Sequence, residues 1–94
     1  MFFVYIIFSE NINKFYIGQT MDVAERFREH NSGKFTGAFT LRANDWKLFL
    51  TIQCISRSQA IRIENHIKNM KSKTYIENLK KYPIIIQNLL IKYQ

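Results

Sequence analysis

The fold can be predicted from the stretch Phe2-Phe3-Val4-Tyr5-Ile6-Ile7-Phe8 together with a second stretch, Phe15-Tyr16-Ile17-Gly18, that follows a polar interval. The first run contains only β-branched and aromatic residues and no Gly or Pro, which is typical of a buried strand. Residues 9–13 have the composition of a turn, and residues 15–17 form a second strand that Gly18 leaves. We therefore predict that the two strands pair as an N-terminal hairpin.

Beyond the hairpin, the pattern predicts a first helix, a loop and a third strand. Asp22 can cap the amides that follow it, and Glu25 three residues later completes a capping-box pattern. Gly33 supplies the stop signal of this helix. Residues 35–45 are polar and irregular, so we expect a mobile loop there. Residues 46–55 alternate weakly between apolar and polar residues and indicate a third strand.

The second half of the chain predicts two more helices and an apolar tail. Ser56 and Gln59 form a second capping box, which opens a helix that runs to about Met70. Residues 73–82 form a third helix, which Pro83 ends. The predicted fold is α+β, with a small three-stranded antiparallel sheet, made of the hairpin and a third strand, flanked by three helices.

The tail divides the chain into a domain of residues 1–82 and an apolar extension of residues 83–94. The pattern leaves open whether residues 84–93 form a short helix, a strand or a surface for a partner. We expect the extension to pack on the same domain or to lie at an interface, where residues 84–91 could form a homodimer.

Composition narrows the class of protein. Ninety-four residues make one domain, and the net charge of +7 with a pI near 9.8 favours a polyanionic partner, either nucleic acid or a membrane surface. No predicted helix is both strongly basic on one face and broadly apolar on the other, so a membrane role is disfavoured. The apolar run at residues 2–8 is far shorter than the roughly 20 residues of a membrane span, and no signal peptide is visible. With a lone Cys54 that indicates a buried thiol, we expect a cytoplasmic protein.

Two charged residues occupy positions where a core-facing helix normally has apolar ones. The expected apolar stripes are Val23, Arg26, Phe27 and His30 in the first helix, and Ala60, Ile63, Glu64 and Ile67 in the second. A single buried charge is very costly. Arg26 and Glu64 therefore either form a buried ion pair with each other or line a polar cleft, where they meet a phosphate and a metal ion.

These residues, in this order, resemble the GIY-YIG endonuclease family. Phe3-Val4-Tyr5 stands where the family has Gly-Ile-Tyr, and Tyr16-Ile17-Gly18 matches its second triplet letter for letter. Residues 18–27 are similar to the segment that leads to the family's arginine, here Arg26. Residues 30–34 resemble the motif that closes that helix, and residues 46–48 the start of the third strand.

The resemblance extends to the helix that carries the family's glutamate, through Ala60, Glu64 and Ile67-Lys68, and covers about residues 2–82. More narrowly, the chain is similar to small stand-alone members that resemble the N-terminal nuclease domain of the bacterial excision-repair incision subunit. Phe3 replaces the first glycine of the family pattern, and the tail from Pro83 matches no part of it.

The resemblance implies metal-dependent hydrolysis of phosphodiester bonds in DNA, in a process such as repair or recombination. Glu64 would hold Mg²⁺ or Mn²⁺, and Arg26 would offer its planar guanidinium to phosphate oxygens. Tyr16 would be the general base, and Tyr5 would position a water or the leaving group. His30 would share the role of base or orient a tyrosine.

A tyrosine hydroxyl ionises near pH 10 in water, so a base role for Tyr16 needs positive charge nearby. Some relatives have a lysine directly after the second triplet, where this chain has Gln19. We expect DNA, in branched, nicked or single-stranded form, to contact Arg26, Lys34, Arg42 and Lys68. The alternative function is a catalytically silent nucleic-acid-binding module of the same fold.

Overall fold

The computed structural model describes residues 1–32 and 42–94. In chain order the elements are β1 (Phe2–Ser9), β2 (Lys14–Thr20), α1 (Val23–Ser32), β3 (Lys47–Cys54), α2 (Arg57–Met70), α3 (Lys73–Lys81) and α4 (Ile84–Lys92). The predicted α+β class and three-stranded antiparallel sheet are confirmed. The described part of the chain has four helices, so the prediction of three was wrong. None of these helices is long and apolar enough to cross a membrane.

β1 is the central strand of the sheet, with β2 on one side and β3 on the other. Its residues 4–7 are all buried, because helices cover both faces of the sheet. In the hairpin, Tyr5 lies opposite Gly18 and Ile7 lies opposite Tyr16. Side chains directly opposite each other share a face of the sheet, so both tyrosines point to the same side.

The strand β2 does not end at Gly18, as predicted, but continues to Thr20. Gly18 keeps its place in the ladder because the Tyr5 ring lies directly over it. A Cβ at this position would be 2.6 Å from the Tyr5 hydroxyl oxygen. A glycine inside a strand often marks such a close approach, and here it makes room for a side chain of the neighbouring strand.

The sheet has two unlike faces. On the aliphatic face, Val4, Ile6 and Ile17 of the sheet form the larger core with residues of α2, α3 and α4. On the aromatic face, a smaller core contains Tyr5, Ile7 and Trp46, packed by Tyr16 and by residues Val23 and Phe27 of α1.

The predicted caps of the first two helices are present. Asp22 accepts a hydrogen bond from the Glu25 amide at 3.0 Å, and Ser56 accepts one from the Gln59 amide at 3.1 Å. The Gln59 side chain also donates to the Leu90 carbonyl at 2.9 Å, which ties the start of α2 to α4. The predicted stop of α1 at Gly33 lies outside the described residues.

The tail that the pattern left ambiguous is the helix α4. The Gln87 amide donates to the Pro83 carbonyl at 3.2 Å, so Pro83 both ends α3 and starts α4. Leu89 is buried in the larger core, whereas Ile84 and Ile91 are exposed. The division at residue 82 and a homodimer through this segment stay predictions.

Polar side chains hold the segment before β3. Asp45 accepts hydrogen bonds from the Ser9 hydroxyl at 2.5 Å and from the Asn11 amide at 3.1 Å. Asn31, at the end of α1, bonds both the amide and the carbonyl of Trp46 at 2.8 Å. Much of the predicted mobile loop lies outside the described residues, and these contacts fix its last residues to the turn after β1 and to α1.

Candidate active site

Tyr5 lies at the centre of the site. Its side chain projects from β1 on the aromatic face, is 1% exposed, and reaches His30 with a hydrogen bond of 2.8 Å between the hydroxyl oxygen and Nε2. Burial raises the pKa of Tyr5, and the neighbouring Tyr16 adds to that effect. The Tyr5 hydroxyl is therefore protonated at neutral pH.

His30 comes from the last turn of α1 and is also buried. Burial lowers the pKa of His30 to about 4, and the positive charge of Arg26 acts in the same direction. The imidazole is therefore neutral at pH 7. Either Tyr5 or His30 can donate the hydrogen in their bond, depending on the imidazole tautomer.

Tyr16 completes a cluster of three rings. It comes from β2, is half-buried, and its ring centroid lies 4.9 Å from that of His30 and 6.3 Å from that of Tyr5. The hairpin thus brings the two tyrosines side by side, as the paired-strand prediction required. Of the three rings, that of Tyr16 is the most open to solvent.

Arg26 lies on α1 one turn before His30. Its side chain is 36% exposed and forms an ion pair with Glu29 at 3.7 Å. It also lines a cleft of about 290 Å³ together with Asp22 and with Arg57 from the start of α2. The guanidinium is therefore accessible from solvent at the place where α1, α2 and the end of β2 meet.

Glu64 projects from the middle of α2, and its side chain is only 15% exposed. It forms an ion pair with Lys68, one turn later, at 2.5 Å. Neither this pair nor the pair of Arg26 joins α1 to α2. Both charges nevertheless act on one hydroxyl, because Arg26 lowers and Glu64 raises the pKa of Tyr5. The two helices thus bring their charges to the vicinity of Tyr5.

The structure describes only some of the other residues that were predicted to contact DNA or a metal ion. Arg42 lines a cavity of about 460 Å³ with His30 and Asn31, whereas Lys34 lies outside the described residues. Within residues 1–32 and 42–94, no group of three or more His, Cys, Asp or Glu side chains could hold a metal ion. The predicted metal site therefore consists of a single protein carboxylate, that of Glu64.

For two residues that position the site, the sequence analysis did not predict the structural role. Gly18 leaves room for the Tyr5 ring to lie across β2. This role could have been predicted, since a glycine inside an apolar strand suggests a close approach. Asn31 fixes the end of α1, next to His30, to Trp46. Its pairing with the backbone of a residue fifteen positions away has no local signal.

The family model of the GIY-YIG catalytic domain matches residues 1–80 of this chain. The chain belongs to the GIY-YIG family. The resemblance carried by the two triplets, Arg26 and Glu64 is thereby confirmed, and membership in this family of nuclease domains supports a nuclease function.

Several curated GIY-YIG relatives are similar to this chain. The UPF0213 protein YhbQ of Salmonella typhimurium is 42% identical over 62 residues, which cover 65% of this chain and 60% of that protein. A UPF0213 protein of Cronobacter sakazakii is 39% identical over 72 residues, covering 76% and 73%. A UPF0213 protein of Serratia liquefaciens is 40% identical over 70 residues, covering 72% and 65%. The chain spans 60% of the length of the Salmonella relatives. No solved structure matches it significantly.

Proposed function

We propose that this protein is a divalent-metal-dependent endonuclease that hydrolyses phosphodiester bonds in DNA, in a process such as repair or recombination. The observation that supports the proposal is the arrangement of the predicted site residues around Tyr5. In a GIY-YIG chain, the rings of Tyr5, Tyr16 and His30 form one cluster, and the charges of Arg26 and Glu64 both act on the pKa of the Tyr5 hydroxyl.

We assign the general base to Tyr16. Tyr5 is buried, protonated and bonded to His30, and His30 is also buried, so both groups are shielded from an incoming water. As a phenolate, the half-buried Tyr16 would accept the proton of a water whose oxygen attacks phosphorus, while the bond to the leaving sugar oxygen breaks and that oxygen takes a proton from solvent.

In this scheme, His30 is a positioning residue for Tyr5. Two neutral groups joined at 2.8 Å hold the Tyr5 hydroxyl in a fixed direction without placing a charge in the core. A fixed hydroxyl can orient a water or the leaving oxygen at low entropic cost.

Arg26 is assigned to the phosphate. Arg26 pairs with Glu29, which is 3.7 Å away and about one third exposed, and an ion pair of this kind contributes at most about 1 kcal/mol. A phosphate oxygen can therefore compete for the guanidinium, whose planar fork matches phosphate geometry.

Glu64 fits a hydrated divalent cation. Mg²⁺ commonly takes one or two carboxylates together with waters and substrate phosphate oxygens, so a lone shielded carboxylate is a sufficient protein ligand, provided that Lys68 moves from its bonded position. When bound, Mg²⁺ or Mn²⁺ supplies positive charge to the phosphate and the leaving oxygen. The flexible stem of Lys68, whose side chain is 46% exposed, allows this exchange.

The test is a cleavage panel of single-stranded, nicked, flapped and branched DNA with Mg²⁺ or Mn²⁺. We expect cleavage by the natural protein and none by Glu64→Gln, with an unchanged circular dichroism spectrum and melting temperature. Glu77→Gln, which removes an exposed carboxylate from α3, is the matched control and should cut normally. Absence of cleavage of every substrate by the natural protein, or full activity of Glu64→Gln, would overturn the proposal.

A catalytically silent nucleic-acid-binding module is the second candidate. One observation favours it, namely the ion pair in which Lys68 holds the Glu64 carboxylate. Salt-dependent DNA binding without cleavage, in the presence of either metal, would decide for this alternative.

A further inference from the structure

Three charged residues lie along one side of α2. Arg57, Glu64 and Lys68 are separated by seven and four positions, so at about 100° per residue they fall within a narrow stripe. This stripe borders the buried side of the helix, which carries Ala60, Ile63 and Ile67. Glu64, the proposed metal ligand, thus has cationic residues on either side of it along the helix axis.

The Lys68 end of the stripe opens onto a group of four lysines. Lys14 from the start of β2, Lys68 and Lys71 from the end of α2, and Lys73 from the start of α3 line one cavity of about 290 Å³. We call these four residues the lysine surface. No carboxylate is among the described residues that line this cavity. Among the described residues, Lys68 is the one member of this surface that has an ion pair, with Glu64, which does not line the cavity.

The backbone and one hydrogen bond hold this surface in shape. Lys71 ends α2 in the left-handed conformation, with φ 49° and ψ 42°, and its amide donates to the Lys68 carbonyl. The Lys73 ammonium donates to the Asn13 carbonyl at 2.5 Å, which joins the start of α3 to the hairpin turn. Because Lys68 is paired with Glu64, the surplus positive charge comes from Lys14, Lys71 and Lys73, and like charges close together attract a polyanion.

The opposite end of the stripe is electrostatically different. Arg57 shares its cleft with Arg26, but Asp22 lines the same cleft and Glu29 pairs with Arg26 at 3.7 Å. Acidic groups therefore offset the arginines at this end. Of the two directions along α2 away from Glu64, the direction of the lysine surface presents the stronger attraction to a polyanion.

We propose that the lysine surface binds the backbone phosphates that follow the scissile phosphate, so that the DNA strand leaves the active site along α2 toward α3. This inference rests on the proposed nuclease function at Glu64. The rise of α2 from Glu64 to Lys71 is about 10 Å, which matches roughly three nucleotide steps of 3.4 Å. The contacts are to phosphates, so they supply affinity and direction rather than sequence specificity.

The test measures how binding of a labelled nicked DNA duplex depends on salt, in a Glu64→Gln background that prevents cleavage. The test variant combines Lys14→Gln, Lys71→Gln and Lys73→Gln, and leaves Lys68 in place because it contacts Glu64. Each lost phosphate contact reduces the slope of log K against log salt by roughly 0.7 to 0.9. We expect the slope to fall by roughly 2 in magnitude if all three contacts are lost.

The matched control combines Arg62→Gln, Lys81→Gln and Lys92→Gln, which removes the same charge from other exposed sites. Arg62 is on α2 but well away from the stripe, and Lys92 lies beside His66 at the far side of that helix. We expect a slope close to that of the parent. A third variant, with arginine at positions 14, 71 and 73, keeps the charge and should bind like the parent, and circular dichroism of the test variant checks that it is folded.

An equal slope in the test variant and the parent, or an equal loss in the test variant and the control, would overturn the inference. Binding of anionic phosphatidylserine vesicles that depends on the three lysines, without lysine-dependent DNA binding, would also overturn it. Cleavage by the natural protein is measured separately. Absence of cleavage with the expected change of slope counts against the proposed function, whereas cleavage with an unchanged slope counts only against the strand path.

Discussion

On the aliphatic face of the sheet, Val4 and Ile6 pack against a core shared with three helices, whereas Tyr5 and Ile7, one residue along the same strand, face α1 and Trp46. The first environment is almost wholly hydrocarbon. The second contains buried hydroxyl and imidazole groups whose hydrogen-bonding capacity must be met inside the protein. Alternation along one strand therefore separates a region that stabilises the fold from a region that can hold a reactive site.

The two faces of the sheet should therefore respond differently to substitution, one in stability and the other in activity. Loss of hydrocarbon from the aliphatic face should reduce the free energy of unfolding, and activity should follow only as the folded fraction falls. Changes on the aromatic face should act on the direction of hydroxyls and rings, with a smaller effect on stability.

The largest expected effect is on the aliphatic face. Ile63 of α2 is fully buried, and Ile63→Ala should lower the free energy of unfolding by about 4 kcal/mol, because it removes buried methylenes and leaves a cavity. Ile61→Ala is the matched control on the same helix, since Ile61 is 38% exposed, and should cost less than about 1 kcal/mol. Urea unfolding measures both. Equal losses would show that the two sides of α2 do not differ as described.

The second effect is a pH dependence of the aromatic face. The pKa of His30 is about 4 in the folded protein, below its ordinary value of 6.5. Between these pH values the unfolded chain binds more protons, so stability is full above about pH 6.5 and falls by about 3 kcal/mol as the pH drops to about 4. Urea unfolding at pH 7.0 and 4.5 measures the change.

The control for this pH dependence uses the second histidine. Burial, together with Lys92, also lowers the pKa of His66, so both proteins in the comparison should carry His66→Gln. In that background, His30→Gln should remove most of the remaining slope between pH 6.5 and 4.5. A slope that persists without His30 would contradict the assignment.

The third effect tests the close approach of the two strands. Gly18→Ala places a Cβ 2.6 Å from the Tyr5 hydroxyl oxygen, and we expect a loss of about 2 kcal/mol from the displaced ring. In a Tyr5→Ala background, the same substitution should cost at least about 1 kcal/mol less, because the two residues are coupled. A double-mutant cycle in urea measures this coupling, and additive effects would refute the contact.

The smallest effect compares two tyrosine–histidine pairs of the same length. Tyr5 and His30 are joined at 2.8 Å in a buried position, and Tyr93 and His66 at 2.8 Å in a partly buried one. Tyr5→Phe should cost about 1 to 2 kcal/mol, because a buried nitrogen loses its partner. Tyr93→Phe should cost less, since water can replace the hydroxyl.

The same pair of substitutions separates stability from catalysis. If Tyr5 orients a water or the leaving oxygen, Tyr5→Phe should lower kcat for DNA cleavage by roughly tenfold or more, whereas Tyr93→Phe should leave it unchanged. Equal cleavage by the two variants would remove Tyr5 from the proposed mechanism.

Much of the architecture could be predicted from local patterns. The strand β1 follows from an uninterrupted run of β-branched and aromatic residues, and the starts of α1 and α2 follow from Asp22 and Ser56, whose side chains accept hydrogen bonds from the expected amides. These signals lie within a few residues of the structure that they specify, so a linear reading captures them. The fourth helix was only one of three alternatives for residues 84–93, because these residues are mainly apolar and offer no clear stripe.

The sheet, the first three helices and the family could be predicted without a structure, since periodicity, capping and the ordered motif residues are properties of neighbouring positions. The structure was needed to show that Tyr5 lies over Gly18 and forms a hydrogen bond with His30. It was also needed to show that Glu64 pairs with Lys68 rather than with Arg26. Likewise, only the structure shows that Lys14 and Lys73 line the same cavity. Apart from the Glu64–Lys68 pair within α2, these contacts join residues far apart in the chain. The packing of helices on the two faces of the sheet determines these long-range contacts. Short sequence patterns do not predict that packing.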